Sequence, residues 1–354
     1  IGQNASANYF DAQNWQNSVI PNEINAWAYI TNTPLTQLSI TNDLTLGYLC
    51  MNAPSSADLS VVSDPGKTLT LAGSNSVIRT DNRRVNFYMP LAGTNGVYKT
   101  GTAYFYPYSE VCLTGVTTVA QGTIGLDFRT YARSADTLVS NMLPSTMLLF
   151  TQNGGQLRMG GRPTRATSQT FSCTLTAGNP RILCTQSGNL SAGQLISSAD
   201  NAFPEGTYIK AIIGTATVEL SNAALLSGNY SLTFLAKTFS TVQRFDTISL
   251  AASGSLYVGG DNAKMEIGAL SGRNGLTLDS AMGTSTNTFV EIHDTRNFLA
   301  PLTLNNGVGV NLPQQRTAPT NAPVSGPIFH VDASRSSTLT LVNGTDVDKW
   351  QDVN

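Results

Sequence analysis

Charged residues are scarce in this chain of 354 residues. Asp, Glu, Lys and Arg make up 12% of it, about half of the roughly 25% that is usual for globular proteins. Lysine and arginine form no cluster, Arg83-Arg84 is an isolated pair typical of a solvated turn, and the formal net charge is −2. Because no basic surface is predicted that could neutralise phosphates, nucleic acid is not an expected partner.

Long apolar runs are also missing, and none approaches the roughly 20 residues that a transmembrane helix needs. We therefore expect no membrane span. The chain begins Ile1-Gly-Gln-Asn, like a mature sequence. This start favours an exported protein from which a signal peptide has been removed.

Cysteine is rare, and the four cysteines are Cys50, Cys112, Cys173 and Cys184. They lack C-x-x-C spacing and are accompanied by only two histidines, which argues against a zinc site. Cys173 and Cys184 lie in two strand-like runs, and a hairpin closing at Gly178-Asn179 brings their sulfurs together. A disulfide there contributes about 3 kcal/mol and indicates an oxidising compartment. Free buried thiols are the alternative, and a Cys50–Cys112 pair is left open.

Recognisable catalytic patterns are absent as well. Glu291 and His293 share one strand face beside Asp294, and His330 with Asp332 repeats the alternation, which fits either an ordinary surface turn or an acid–base or metal pair. We find no calcium loop, nucleophile elbow, phosphate loop or dinucleotide fingerprint. The sequence therefore predicts no catalytic, metal or cofactor-binding residue and no cofactor. A polysaccharide lyase or hydrolase is the minority alternative.

What the chain does contain is a degenerate internal repeat. The element L-x-G-x-N-G-(V/L) occurs at 91–97 and again at 270–276. Short apolar strands separated by Gly and Asn surround both copies, and the surface is rich in Thr, Ser and Asn. Repeats of this kind are typical of stacked β architectures, in which each unit buries its face against its neighbours. We predict an all-β fold, a right-handed parallel β-helix (solenoid) carrying an inserted small β-barrel or sandwich.

The pattern divides the chain into six segments. They are an N-terminal cap at 1–32, a first β-helix segment at 33–163, an inserted β-domain at 164–238, a second β-helix segment at 239–312, a Pro-rich linker at 313–327, and the start of a further β-domain or a docking tail at 328–354. We expect Trp15 and Trp27 to plug the open end of the stack. The segment 134–142, with Ser134 as its cap and Pro144 after it, predicts one helix.

Two groups of side chains are candidates for binding. Tyr104, Tyr106 and Tyr108 alternate in an aromatic cluster, which as a stripe on one face would stack against sugars and otherwise packs in a core or groove. A set of apolar residues in the tail is the candidate for assembly by strand addition to a neighbouring subunit. These residues are Phe329, Val331, Leu339, Leu341 and Trp350.

The repeat core resembles the autotransporter-associated β-strand repeat of large exported proteins from Verrucomicrobia-like and other Gram-negative bacteria. The matching text lies at 67–71, 90–101, 115–126 and 267–276. The resemblance implies a parallel β-helical passenger on the cell surface, usually without catalytic residues. This chain departs from the pattern in its tyrosine cluster and its cysteine-bearing insert, and it shows no translocator barrel. The tail, 329–352, resembles the opening strands of a concanavalin-like (laminin-G-like) jelly roll.

These observations together predict a non-enzymatic, exported protein of the bacterial cell surface or extracellular space. Its expected role is structural or adhesive, with self-association into filaments or a surface layer, or contact with a surface glycan or protein. The alternative is a carbohydrate-binding or carbohydrate-active β-helix that uses the three tyrosines.

Overall fold

The computed structural model describes residues 7–31, 36–52, 57–74, 76–185, 187–260, 262–280, 288–306, 308–312 and 330–331. Two 3-10 helices, Ala12–Asn14 and Gln16–Ser18, precede the strands. The strands are β1 Trp27–Thr31, β2 Gln37–Ile40, β3 Leu44–Leu46, β4 Tyr48–Asn52, β5 Leu59–Ser63, β6 Leu69–Leu71, β7 Val77–Asp81, β8 Val85–Tyr88, β9 Leu91–Gly93, β10 Val97–Thr100, β11 Tyr104–Pro107, β12 Val111–Leu113, β13 Val116–Val119, β14 Gly122–Asp127, β15 Leu138–Ser140, β16 Met147–Phe150, β17 Gly155–Gly160, β18 Gln169–Leu175, β19 Arg181–Cys184, β20 Ile196–Ser198, β21 Ile209–Ile213, β22 Thr217–Leu220, β23 Gly228–Phe234, β24 Ser240–Leu250, β25 Gly254–Gly259, β26 Ala263–Gly272, β27 Leu276–Ser280, β28 Phe289–Ile292, β29 Asn297–Phe298, β30 Leu302–Leu304, β31 Gly309–Asn311 and β32 His330–Val331.

Most of these strands belong to three parallel sheets, which the chain visits in rotation. The first parallel sheet has the order β1-β4-β7-β10-β13-β16-β24-β26-β28-β31, with β15 beside β24 and β29 beside β26. The second parallel sheet has the order β2-β5-β8-β11-β14-β17-β25-β27-β30-β32, and the third has the order β12-β9-β6-β3. The all-β class is confirmed, and the stacked parallel sheets are consistent with a β-helix or solenoid.

The third sheet ends at β12, and the later coils contain the long strands β24 and β26. Residues 138–140 of β15 pair with the N-terminal half of β24, whereas residues 147–150 of β16 pair with its C-terminal half. β26 divides in the same way between β28 and β29. One continuous strand therefore pairs with two separate strands in these later coils.

Alternating side chains explain why the strands stack in this register. In β5 the burial pattern alternates, with Leu59 and Val61 inward. Along the second sheet the inward positions form a ladder from coil to coil, which runs Leu59, Val85, Phe105, Ile124, Leu157, Leu256 and Leu278. All seven are buried, so each coil buries its apolar face on the next.

Residues between β17 and β24 form a separate antiparallel unit, defined here as residues 169–234. Its six strands have the order β20-β23-β18-β19-β22-β21. Leu195, beside β20, pairs with Tyr208, beside β21, so the first and last strands of the sheet meet and it closes on itself. The stack resumes afterwards, because β24 pairs with β16 and β25 pairs with β17.

The predicted helix over 134–142 is wrong. Leu138–Ser140 is strand β15, which pairs in parallel with β24. The Ser134 hydroxyl does accept a hydrogen bond from a backbone amide, as a helix cap would. The donor is the Asp136 amide, and the bond closes a local turn and not a helix. Pairing with the following coil therefore prevails over the local helix signal.

Trp15 and Trp27 have different positions. Trp15 is buried against Tyr9, with ring centroids 4.7 Å apart, and its indole N–H donates to the Tyr9 carbonyl. It closes the end of the stack as predicted. Trp27 is 60% exposed on β1, so the prediction that it plugs the stack is wrong. The alternation of β1 places Ala28 and Ile30 inward and leaves Trp27 on the outer face.

Candidate functional site

The three predicted tyrosines lie on the outer face of the second parallel sheet. Phe105 and Pro107 point into the stack, so Tyr104, Tyr106 and Tyr108 alternate outward and are partly exposed. The rings of Tyr104 and Tyr106 are nearly parallel, with centroids 6.0 Å apart and an interplanar angle of 10°. β11 thus presents two aligned aromatic rings at the surface.

Two arginines from other coils join these rings. Arg84, which directly precedes β8, has its guanidinium carbon 5.8 Å from the Tyr104 centroid and 5.4 Å from that of Tyr106. Arg158 of β17 lies 5.6 Å from the Tyr104 centroid and 4.5 Å from that of Tyr257 on β25. We call the group of Arg84, Tyr104, Tyr106, Arg158 and Tyr257 the Tyr–Arg surface. Cation–π contacts within about 6 Å hold such a group together.

Tyr106 owes its position to a glycine in the next coil. A Cβ atom on Gly125 of β14 would lie 2.0 Å from Cε1 of Tyr106, so the ring lies flat over this glycine. Gly125 stands in register with Arg158 of β17. The missing side chain therefore leaves room on β14 for the ring of Tyr106.

Tyr108 belongs to the same face but points towards the antiparallel unit. Its ring is 5.2 Å from that of Tyr88, and Tyr88 packs with Ala211 and Ile213 of the antiparallel unit. Burial raises the pKa of Tyr108, and the nearby Asp127 carboxylate raises it further. The structure therefore brings Tyr104 and Tyr106 together as an accessible pair, with Tyr108 at the covered edge.

The Tyr–Arg surface combines flat apolar faces with hydrogen-bond donors. Aromatic faces suit the C–H faces of sugar rings, while guanidinium N–H groups and tyrosine hydroxyls suit hydroxyl or carboxylate oxygens. Gln156, which is partly exposed and hydrogen bonds over 3.1 Å to the buried Thr123, extends the polar region along the adjacent row. The arrangement can bind an amphipathic, oxygen-rich ligand.

A second aromatic group lies on the first parallel sheet, and this group was not predicted from the sequence. Trp27 stacks on Tyr48 with centroids 4.8 Å apart at 16°, and Tyr29 lies 5.4 Å from Tyr48. Trp27 is 60% and Tyr29 is 43% exposed. The alternation of aromatic residues at 27 and 29 was the signal that could have revealed this outward position.

The acid–base candidates near His293 are engaged in ion pairs. Glu291 pairs with Lys264 of the preceding coil, and Asp294 pairs with Arg296 over 2.7 Å. Hydrogen bonds from Arg296 hold the pKa of the Asp294 carboxyl at about 2. His293 is exposed, and its backbone N–H donates to the Ile267 carbonyl. The Glu291 carboxylate thus links two adjacent coils, and the Asp294 carboxylate holds a local turn.

Two of the four cysteines form a disulfide, and the other two are free. The predicted disulfide between Cys173 and Cys184 is present, joining β18 and β19 with a Cα–Cα distance of 4.3 Å. Cys50 and Cys112 are free, because β4 belongs to the first sheet and β12 to the third. Over the described ranges, no group of three or more His, Cys, Asp or Glu is placed to hold a metal ion.

The predicted assembly tail falls largely beyond what the structure describes. Phe329, Leu339, Leu341 and Trp350 lie outside the described residues. Val331 belongs to β32, whose backbone pairs in parallel with β30 at the end of the second sheet. Helices long and apolar enough to span a membrane do not occur among the described residues.

Comparison of the chain with protein-family models, with curated proteins and with solved structures gave no match.

Proposed function

We propose that the three parallel sheets form a closed right-handed β-helix that acts as an adhesive, non-enzymatic protein of the bacterial surface. The regular rotation of the chain through three parallel sheets supports the β-helix. Crossovers between parallel strands are right-handed in about 98% of cases, which supports the handedness. The disulfide between Cys173 and Cys184 supports an exported, oxidising location.

The Tyr–Arg surface is the observation that carries the adhesive function, and the proposed ligand is a surface glycan. Rigid strands from four coils position the five side chains, so little conformational entropy is lost on binding. Tyr104 and Tyr106 supply the stacking faces, and Arg84 and Arg158 supply donors at their margins. A stack of parallel coils serves here as a stiff support for a binding face.

A glycan array tests this function. The wild-type chain should bind a limited set of glycans, and the double variant Tyr104→Ala/Tyr106→Ala should lose that binding at least tenfold. Tyr98→Ala is the matched control, because Tyr98 is a partly exposed tyrosine on β10 of the first sheet. Unchanged binding by the double variant, or no glycan binding by wild type, would contradict the proposal.

Self-association is the second candidate function, and the outer face near the N-terminal end of the stack favours it. Val19 and Ile24 are each 67% exposed, and Trp27, which follows them closely in the sequence, is 60% exposed. Large exposed apolar side chains are frequent at contact sites. Negative-stain electron microscopy at rising concentration should show filaments or sheets for wild type and dispersed rods for Trp27→Ala. Dispersed wild-type particles at every concentration would count against assembly.

A further inference from the structure

Arg158 is the least compensated cation of the Tyr–Arg surface. No Asp or Glu among the described residues forms an ion pair with it, and its Nε is buried without a hydrogen-bond acceptor within those same ranges. A buried donor that lacks an acceptor does not stabilise the free protein. The surface therefore contains a cation without a carboxylate partner, which an anionic ligand would supply.

Arg84 places a second cation beside the Tyr104 ring. Both guanidinium carbons lie within the cation–π range of Tyr104, at 5.8 Å and 5.6 Å from its centroid. Arg84 has one weak partner, because Asp58 lies 3.7 Å away and both side chains are nearly half exposed. Exposed pairs of this kind contribute little and are readily exchanged. The charge of the surface is thus complementary to an anion.

The geometry of Arg158 favours a carboxylate. Its guanidinium lies over the faces of Tyr104 and Tyr257 and its Nε is buried, so the donors that remain for a ligand are those of the two terminal nitrogens. A planar carboxylate accepts two parallel N–H bonds from such a fork. The rings beside it provide the apolar faces on which the attached sugar would stack.

We propose that the Tyr–Arg surface binds uronate-containing polysaccharide, with a sugar carboxylate on Arg158, a second anionic group near Arg84, and sugar rings against Tyr104, Tyr106 and Tyr257. This inference rests on the proposed glycan contact and names its ligand class. A polyuronate carries one carboxylate on each sugar, which suits a surface whose cations come from two separate coils.

Isothermal titration calorimetry with the full chain tests the inference. The probes are a hexamer of galacturonic acid, the matched neutral galactose hexamer, and a sulfated dextran of similar length. We expect the uronate hexamer to bind best and to weaken as salt is raised, since exposed charge interactions are screened. Arg158→Met should weaken uronate binding at least tenfold, because it keeps the apolar stem and removes the fork.

Two further variants are compared with Arg158→Met: one keeps the positive charge at position 158, and the other removes an arginine elsewhere on the protein. Arg158→Lys keeps the charge and should recover only some of the affinity, because an ammonium lacks the planar fork. Arg296→Gln removes an 87% exposed arginine at a distant turn and should bind like wild type. The melting temperature of each variant reports whether the chain is still folded.

The outcomes separate this inference from the glycan function itself. Neutral glycan bound as tightly as the uronate, or uronate binding unaffected in Arg158→Met, would overturn the carboxylate assignment while leaving glycan binding in place. Tighter binding of sulfated dextran than of the uronate would also overturn it, in favour of a sulfated ligand. Binding of none of the three probes would overturn it as well, and the glycan array then decides the adhesive function separately.

Discussion

Gly125 shows how a single missing side chain shapes the surface of the stack. Tyr106 lies over this glycine, and a Cβ there would approach the ring to 2.0 Å. The glycine has no positive φ, so its backbone accepts other residues. The constraint at this position therefore comes from the ring of Tyr106.

Gly125→Ala should displace Tyr106 and weaken glycan binding several-fold. Stability should change little, because alanine in a strand gains roughly 0.5–1 kcal/mol over glycine, which offsets the displaced contact. Glycan titration and thermal melting measure the two effects. Gly160→Ala is the control, since its new Cβ would meet only the Leu126 carbonyl, at 3.9 Å. Equal binding by the two variants would show that Tyr106 does not depend on Gly125.

Lys99 is a buried lysine inside the stack. It is fully buried on β10, and its ammonium group donates to the carbonyls of Thr100, Gly101 and Gln121. Desolvation lowers its pKa to about 7, and the Asp81 carboxylate opposes the shift. Between about pH 7 and its ordinary pKa of 10.5, the unfolded chain holds the proton more tightly than the folded one.

Raising the pH above 7 should therefore stabilise the folded protein through Lys99. The contribution is at most about 1.4 kcal/mol per pH unit, and Lys99→Met should lack it. Urea denaturation at pH 7, 8 and 9 gives the slope of unfolding free energy for both proteins. Lys67→Met, at a partly exposed lysine, should keep the wild-type slope. Parallel slopes for wild type and Lys99→Met would contradict a lowered pKa.

The alternation of inward and outward side chains within a strand could be predicted from the sequence. Which side chains point inward in the turns between strands could not. The alternation of Tyr104 and Tyr106 was evident from the sequence, but whether the two rings lie on the outer face or in the core was left open, and the structure places them on the outer face. Arg83-Arg84 was predicted to be a solvated turn, and this is wrong for Arg83, which is 2% exposed while Arg84 is exposed. Strand-like alternation reaches the residues before β8, so one arginine points inward and the other outward.

At the scale of elements, the sequence repeat corresponds to corners of the stack. Asn95 donates its side-chain amide to the Gly73 carbonyl of the preceding coil, and Asn274 does the same to Leu250. The glycine in each copy is required by the coil beneath, since a Cβ on Gly93 or Gly272 would lie within 2.7 Å of a carbonyl oxygen. The repeat thus predicted coil corners, although its copies lead into different sheets.

The disulfide should stabilise the antiparallel unit alone. Cys173 and Cys184 enclose a short hairpin, and its closure contributes about 3 kcal/mol in the chain-entropy model. In Cys173→Ala/Cys184→Ala, hydrogen exchange should accelerate in β18, β19, β22 and β23 and stay unchanged in β11, β14 and β17. Cys112→Ser, at an exposed free cysteine, should exchange like wild type. Equal acceleration in both regions would mean that the unit and the stack unfold together.

Arg162 is a buried arginine that holds the segment after β14, in which Tyr131 pairs with Ala211 of the antiparallel unit. It is fully buried, its Nε and one terminal nitrogen donate to the Phe128 and Tyr131 carbonyls, and it lies 4.9 Å from the Phe239 ring centroid. Arg162→Met leaves two buried carbonyls without these donors, so we expect a loss of about 2–5 kcal/mol in unfolding free energy. Urea denaturation measures it, with Arg296→Met as the exposed control. A loss no greater than that of the control would contradict the role of Arg162.

At the scale of the whole molecule, the sequence revealed the all-β class and the parallel repeat because periodicity and corner residues are local signals. The long strands β24 and β26, each of which pairs with two separate strands, were not predicted, since this pairing depends on partners in adjacent coils. β15 was mistaken for a helix for the same reason. The contribution of Tyr257 to the Tyr–Arg surface also depends on register across coils, which one sequence does not display.

Hydroxyl-radical footprinting of the full chain, with and without the uronate hexamer, would show whether the Tyr–Arg surface is the binding face. The method reports the solvent exposure of individual tyrosine and tryptophan side chains. We expect Tyr104, Tyr106 and Tyr257 to become protected while Trp27 and Tyr29 on the first sheet keep their reactivity. Protection at Trp27 and Tyr29 with unchanged labelling of the second-sheet tyrosines would contradict this expectation.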